Sequence, residues 1–488
     1  MRSPPVFTSD VKLVVEELGR VLKIFSYVVL AAVVIPVIFK EYYAVPWVLL
    51  TSGLAYISSY FLIKVKVDEE PRIRHAMIVA ALAWIIIPLY STIPLIFVAR
   101  MSFIDSMFEC VSGWSGTGLT MVIREDLLSH TVQFWRSLMQ WIGGVGVIVL
   151  LISILARPGT GAYSLYKSEG RTEKIHPSIL STVKTMWKIF FIYTVLGVIL
   201  LWLCRMPLWD AINHAMTGIA TGGFSVVDNS IGTYDSPLID YALLPLMIAG
   251  AVSFVVHYRM IRVNYKIFFT DPQNKAFFVI GGIAIAYLTW LNLGNYIEVP
   301  ASLRYSCFQL ISALTCTGFQ TANVQVWSES AKLLLAIAMV IGGAAGSTVG
   351  GIKLIRVILL YKGVVWKFKK VSFPSTALIS HKLGSKVLSS EEANEEVAEA
   401  ALISFLWVVF LFLGIFVLLQ TVPAEYTLGD VVFEVASAQG NVGLSTGITG
   451  THMGSIAKVT LMFNMWIGRL EIFPVLMLLR LIIKRGFV

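Results

Sequence analysis

The sequence predicts an all-α polytopic membrane protein: two N-terminal spans, then four pseudo-symmetric units, each a span, a short helix ending inside the membrane, and a second span. Three observations carry that prediction. The 488 residues are 57% hydrophobic and only 14% charged, a balance outside that of soluble domains of this length. Apolar runs of about 20 residues recur along the chain, each long enough to cross a hydrocarbon core roughly 30 Å thick. Between those runs, four polar stretches of similar pattern each end on glycine.

In chain order the spans are expected at 18–39, 44–64, 76–99, 135–156, 186–204, 238–261, 276–298, 331–361, 399–421 and 456–483. The first two form a leading pair (1–66), and the rest divide into units at 67–157, 158–262, 263–371 and 372–488. No small-residue cleavage site follows the first run, so no removable signal peptide is expected. With the N-terminus inside and each charge assigned to its nearer face, the inner side holds 29 of the 38 Lys and Arg and the outer side 8. The positive-inside rule then places both termini in the cytoplasm of a multi-pass cell-membrane protein. Acids divide evenly, 14 on each side, so the outer face is net negative, and an acidic mouth concentrates cations. The alternative is that these loop acids only solvate.

The four stretches are DSMFECVSGWSGTGLT (Asp105 to Thr120), DAINHAMTGIATGGFS (Asp210 to Ser225), YSCFQLISALTCTGFQ (Tyr305 to Gln320) and DVVFEVASAQGNVGLS (Asp430 to Ser445). They align on Gly118, Gly223, Gly318 and Gly443. Nine residues upstream stand Glu109, His214, Gln309 and Glu434, and six upstream a small hydroxyl residue, Ser112, Thr217, Ser312 or Ser437. Asp at the start of three stretches suits a helix N-terminus. About a dozen residues is too short to span. Non-helical backbone at membrane depth is tolerated only when buried in protein or lining a watery path. Four such loops meeting on one axis satisfy that rule by forming a central pore, with helix C-terminal dipoles and loop carbonyls replacing a cation's water. One isolated glycine stretch reads instead as a close-packing site; four with common spacing do not.

These stretches, with FWRSLMQWIGGVGVIVL (Phe134 to Leu150), IGGAAGSTVGGIKLIR (Ile341 to Arg356) and MWIGRLEIFPVL (Met465 to Leu476), resemble the Trk/Ktr/HKT superfamily of potassium transporters, most of all the Trk membrane subunit. The resemblance covers nearly the whole chain. It implies potassium uptake, with rubidium as a congener, through a selectivity filter on Gly118, Gly223, Gly318 and Gly443. The carbonyls implied to face the ion are those of Thr117, Gly118, Thr221, Gly222, Gly223, Thr317, Gly318, Asn441, Val442 and Gly443. In the superfamily a serine at the first glycine accompanies sodium transport; glycine stands at all four places here. GNVGLS in the fourth stretch is nearer the Ktr form.

The eighth expected span carries five glycines within Gly342 to Gly351, each costing a helix interior roughly 1 kcal/mol against Ala, so an unwound loop is expected there. The resemblance makes it an intramembrane gating loop, with Gly343, Gly346, Ser347 and Gly350 as gating residues. Arg469 lies deep in the last span, where a cation needs a partner or an aqueous cavity. A salt bridge to Glu109 or Glu434 is one reading. The resemblance gives the other: it sits under the filter and repels cations when the path is closed. Glu471, two residues on, is expected on another helix face. Basic cytoplasmic residues Lys362, Lys367, Lys369, Lys370, Arg171, Lys174, Lys184 and Lys188 are read as topological, although the resemblance implies a nucleotide-binding regulatory ring (TrkA-like) on that face and a homodimer of this chain. Nucleotide is thus expected only on the partner, no cofactor in the chain itself, and no nucleic acid. Ser389 to Glu399, with five glutamates, reads as a solvated helix start.

Enzyme chemistry has little support. The seven histidines are scattered, and HExxH, P-loop and GxSxG patterns are missing. Cys110, Cys204, Cys307 and Cys316 show neither CxxC nor metal spacing. A proton- or sodium-coupled secondary transporter is the competing reading; it requires acids within spans, and only Glu471 qualifies.

Overall fold

The computed structural model describes residues 6–65, 72–146, 175–176, 178–374, 379–384 and 386–484. Arg171, Lys174, the 147–156 end of the fourth expected span and the expected boundaries at 66–67 and 157–158 lie outside the described residues. Helices α1 (Val6–Ala32), α2 (Val34–Ile38) and α3 (Val45–Ile63) form the leading pair. Next come α4 (Ile73–Phe97), α5 (Phe103–Ser115) and α6 (His130–Val145), then α7 (Ile179–Leu203), α8 (Leu208–Ile219), α9 (Pro237–Ala251) and α10 (Phe254–Arg262). The chain continues through α11 (Ile267–Thr270), α12 (Pro272–Leu291), α13 (Val299–Leu314), α14 (Glu329–Ile341) and α15 (Leu354–Ser372). A hairpin of β1 (His381–Leu383) and β2 (Lys386–Leu388) precedes α16 (Ser390–Leu419), α17 (Leu428–Gly440), α18 (Ser455–Arg469) and α19 (Phe473–Lys484).

Among the described residues six helices are long and apolar enough to cross a membrane, or seven if α9 and α10 count as one span. Among the described residues the sixth, eighth and tenth expected spans are interrupted: glycines break the eighth from within, whereas partners far along the chain hold the other two breaks. In the described part of the fourth, α6 ends at Val145 and Gly146 follows with φ 100°, outside the helical range. The eighth is interrupted from Gly342 to Lys353, where its glycines lie. The sixth, expected to be continuous over 238–261, bends by 103° between α9 and α10, where Ser253 caps the new helix through the Val255 amide. The tenth, expected to run unbroken over 456–483, parts at Leu470–Ile472. Glu471 takes φ 54° and Ile472 φ 74°, so Glu471 sits at a break rather than on a helix face. Its carboxylate is held there by Lys353 at 2.5 Å and by Arg356, which offsets the cost of a β-branched residue with positive φ.

Asp105, Asp210 and Asp430 each occupy the third residue of a short helix, α5, α8 and α17. Thr427 and Asp430 form a reciprocal capping box, and Ser102 accepts from the Asp105 amide. Tyr305 does not start its helix: α13 begins six residues earlier with Pro300 in its first turn. Each short helix packs between the helix before it and the helix after it. Each also touches the helix that follows the previous short one: α8 on α6, α13 on α9, α17 on α14, and α5 on α18. The last of these contacts closes a ring; a large apolar core runs through the helices around it, and a second cluster, with Phe108, Val431 and Leu461, fills the closing seam.

Candidate cation pathway

The four short helices end in the same way. The amides of Thr117, Gly222, Thr317 and Val442 reach back to the carbonyls of Ser112, Thr217, Ser312 and Ser437, all at 2.9 Å. The amides of Gly116, Thr221, Cys316 and Asn441 close the inner bond at 3.1–3.2 Å. This is a Schellman stop, which requires a left-handed residue just past the helix. Gly116 (φ 70°), Thr221 (51°), Cys316 (49°) and Asn441 (54°) supply it, so only one of the four uses the residue that adopts it without strain.

Two residues on, Gly118, Gly223, Gly318 and Gly443 again have positive φ, 76–104°. Here glycine is required by space as well. A Cβ on Gly118 would fall on the carbonyl oxygen of Gly222, on Gly223 on that of Thr317, on Gly318 on that of Val442, and on Gly443 on that of Thr117. Each contact runs to the next stretch in chain order and the fourth returns to the first, so the loops form a closed ring of touching backbone.

Side chains of the same short helices brace the loops. Glu109 accepts from the Met121 amide at 2.7 Å and from Thr120 Oγ1 at 3.0 Å. Glu434 accepts from the Thr446 and Thr449 amides at 3.0 Å each, from Ser445 Oγ at 2.8 Å and from Thr449 Oγ1. His214 meets Ser225 Oγ at 3.0 Å, and Gln309, with its amide oxygen facing the loop, accepts from the Thr321 and Ala322 amides at 2.8 and 3.1 Å. The residue nine upstream thus holds its own loop in every stretch. The hydroxyl six upstream does so in three: Thr217 to Phe224 O, Ser312 to Phe319 O, and the Gly443 amide to Ser437 Oγ. Ser112 Oγ has no partner among the described residues.

Several positioning residues were not picked out in the sequence. Gln140 on α6 donates to Gly222 O at 2.5 Å and accepts from the Phe224 amide, which commits part of one carbonyl expected to face an ion. Arg136, 1% exposed, bonds Glu109 at 2.7 Å and Ser225 O at 2.7 Å and lies over the Phe224 ring. Lys332 bonds Asp430 at 2.7 Å and Lys458 bonds Asp105 at 2.6 Å. The available signal was a single cation early in an otherwise apolar helix, which must find an acid nearby. Asn441 departs from a purely backbone role: its Nδ2 donates to Thr117 Oγ1 at 3.0 Å and Met465 O at 2.9 Å, tying fourth loop to first.

On one side of the ring a cavity of about 190 Å³ is lined by all four anchor glycines together with Glu125, Arg136 and Gln320. Burial, with Glu109 and Asp228 nearby, lifts the Glu125 carboxyl to about 7 against the pull of Arg136. The loop 342–353 lies against the stretches through Thr348, whose Oγ1 meets Thr221 Oγ1 at 2.9 Å and Gly250 O at 3.0 Å. The loop backbone pairs with the bend between α9 and α10: Ala344 N to Ala251 O, Thr348 N to Gly250 O, and Phe254 N to Gly346 O, at 3.0–3.2 Å. That bend therefore frees the carbonyls the loop needs. A small cavity of about 20 Å³ is bounded by Gly346, Ser347, Gly350, Lys353 and Arg469, while Gly343 packs against Ala251. Arg469 joins neither Glu109 nor Glu434 in a direct ion pair. It donates to Thr348 O at 2.9 Å, to Gly144 O at 3.1 Å and to Gly143 O, stitching the loop to the end of α6, with its guanidinium 5.5 Å from the Trp84 ring.

Comparison with known proteins finds relatives over most of the chain. A cation transporter of Methanocaldococcus jannaschii is 34% identical over 96% of this chain and 95% of its own. The potassium uptake protein TrkH of Escherichia coli K12 is 31% identical over 85% of this chain and 86% of its own. The crystal structure of the potassium transporter TrkH from Vibrio parahaemolyticus superposes with a TM-score of 0.82 at 26% identity, covering 96% of this chain and 98% of that one. The family profile described as TrkH, cation transport protein, matches residues 54–487. The chain is therefore a multi-pass membrane protein of transport rather than an enzyme, and it belongs to the TrkH family of cation transport proteins.

Proposed function

We propose that this chain takes up K+ across the cytoplasmic membrane through a central pore formed by four pseudo-symmetric units, with both termini in the cytoplasm. The observation that carries the proposal is the closed ring of Gly118, Gly223, Gly318 and Gly443, each set against the carbonyl of the next loop. Positive φ at alternate residues turns successive peptide planes so that the carbonyls of Thr117, Gly222, Thr317, Val442 and their neighbours replace an ion's water. K+ is the cargo, and the names of the TrkH relatives favour it over Na+.

The loop 342–353 serves as the gate, with Gly343, Gly346, Ser347 and Gly350 giving it mobility and Arg469 pinning it closed. A cytosolic nucleotide-binding ring acts on it from below, and the chain works as a homodimer. The rival coupled-transporter reading loses its one candidate acid, because Glu471 is committed to Lys353 and Arg356. The test is complementation of a K+-uptake-deficient cell by the chain, beside Gly318→Ser and Gly443→Ser. Growth on low K+ by the parent alone supports the filter assignment; equal growth of all three removes it. Arg469→Ala should raise uptake in the absence of a regulator, and unchanged uptake would retire the pinning role.

A further inference from the structure

The outer cavity has walls supplied by all four loops, yet its charge comes from one place. Of the residues lining it, Glu125 is the acid and Arg136 the base. Arg136 is already matched: Glu109 lies 2.7 Å from its Nε, and Ser225 O and Thr120 Oγ1 take its other donors. Glu125 Oε1 stands 4.0 Å from Arg136 Nη2, beyond hydrogen-bond reach, and its side chain is only 13% exposed. Its position is fixed from the backbone, where Gln133 Nε2 donates to Glu125 O at 2.9 Å. Of the nearby acids, Asp228 shares a side-chain hydrogen bond with the Glu125 carboxyl, and both it and Asp126 are also engaged elsewhere. Asp228 meets Arg124 at 2.7 Å and accepts from the Asp126 amide, while Asp126 pairs with the same Arg124 at 2.9 Å.

We propose that Glu125 is the cation-collecting group of the outer cavity, its carboxylate setting the K+ concentration at which uptake is half-saturated. The inference rests on the pore reading above and assigns the entry site of that pore. A carboxylate set among low-dielectric walls focuses its field on the space in front of it, which raises the local cation concentration without altering the steps beyond. Half-saturation should therefore depend on Glu125, and maximal rate should not. A proton competes for the same place. With the carboxyl lifted to about 7, acid outside removes the charge as pH falls from 8 towards 6, and a cation in the cavity pulls the other way. Arg136 from α6 pulls this competition towards the carboxylate, while Glu109 from α5 and a hydrogen bond with Asp228 of the second loop pull it towards the acid.

The experiment measures Rb+ uptake by cells expressing the full chain, against external concentration, at external pH 6, 7 and 8. Glu125→Gln should raise the half-saturating concentration by about 3- to 10-fold at pH 8 with the maximal rate retained, and should abolish its pH dependence. Glu125→Asp should restore part of both. If Glu125→Gln keeps the parent's half-saturation and its pH dependence, the assignment is overturned. Should Glu125→Gln not reach the membrane, the unmodified chain still decides. Raising external ionic strength with an impermeant organic cation from about 0.01 to 0.1 M shortens the screening length from about 30 to 10 Å and should raise half-saturation; an unchanged value overturns the proposal. A parent chain that moves no Rb+ under any condition defeats the pore reading itself, whereas normal parent uptake with an inert Glu125→Gln defeats only this assignment.

Discussion

The glycine ring and the loop 342–353 are both irregular backbone at membrane depth, yet they are held in opposite ways. In the ring, beside longer-range ties from Gln140, Arg136 and Asn441, each loop is braced by its own short helix: a Schellman stop, a residue nine upstream and, in three of four, a hydroxyl six upstream. These braces span no more than 15 residues of chain. The loop 342–353 is held by distant partners, namely Gly250, Ala251 and Phe254 at the α9–α10 bend, Thr221, and Arg469. Braces close in sequence form with the helix and persist with it. Bonds borrowed from other helices break when those helices shift, without unfolding anything. The first arrangement suits a fixed coordination geometry and the second a part that moves.

The sharpest way to break this contrast is at the ring. Gly318→Ala puts a methyl on the Val442 carbonyl, in backbone of φ 83° that disfavours any side chain. Rb+ uptake should fall by about 100-fold or more, in line with strain of 1–3 kcal/mol added to a displaced carbonyl. Substantial retained uptake would mean the ring tolerates distortion and is not the filter.

A second test weighs a brace in each region. Glu434→Ala strands the Thr446 and Thr449 amides and two hydroxyls in a site of 0% exposure. Each orphan costs about 1–3 kcal/mol, so the thermal transition of the purified protein should drop clearly and K+ over Na+ preference should weaken. Ser347→Ala in the loop removes a hydroxyl bond to Ala344 O and a long one from the Val349 amide, both within the same turn, and should leave both measurements nearly unchanged. Equal effects would erase the distinction between the regions.

The same contrast explains what the sequence discloses. The ring glycines, the Asp at the third residue of three short helices and the glycine-rich loop are legible because each answers a local need: a positive φ, a cap, a helix break. The bend at Ala251–Phe254 is not. No glycine or proline lies between Ala251 and Phe254, and Pro245 sits inside the intact α9. The carbonyls it frees are paid for by amides of the loop, about 90 residues later, so the cause is invisible in any window of chain. The break at Glu471 is hidden for the same reason, since Lys353 and Arg356 hold it from another unit. Glu125 and Arg136 look like ordinary loop and interfacial charges until the fold puts them beside the four glycines.

The finest test lies where the two regions touch. Thr221 occupies a left-handed position that a β-branched residue disfavours, and its hydroxyl meets that of Thr348 in the loop. If this pair helps hold the gate against the ring, Thr348→Val should loosen the loop and raise regulator-free Rb+ uptake about 3- to 10-fold, the worth of one buried bond of 0.5–1.5 kcal/mol. Thr221→Val should act in the same direction, because it removes the other half of the same contact. The two changes together should then give little more than either alone, leaving a coupling of about 1 kcal/mol in a double-mutant cycle. Additive effects would show that each hydroxyl works through its other partners, Ala220 O for Thr221 and Gly250 O for Thr348, and that ring and loop respond independently. Non-additivity makes the Schellman residue of the second stretch serve twice: it ends the helix that builds the ring, and it holds the part that closes it.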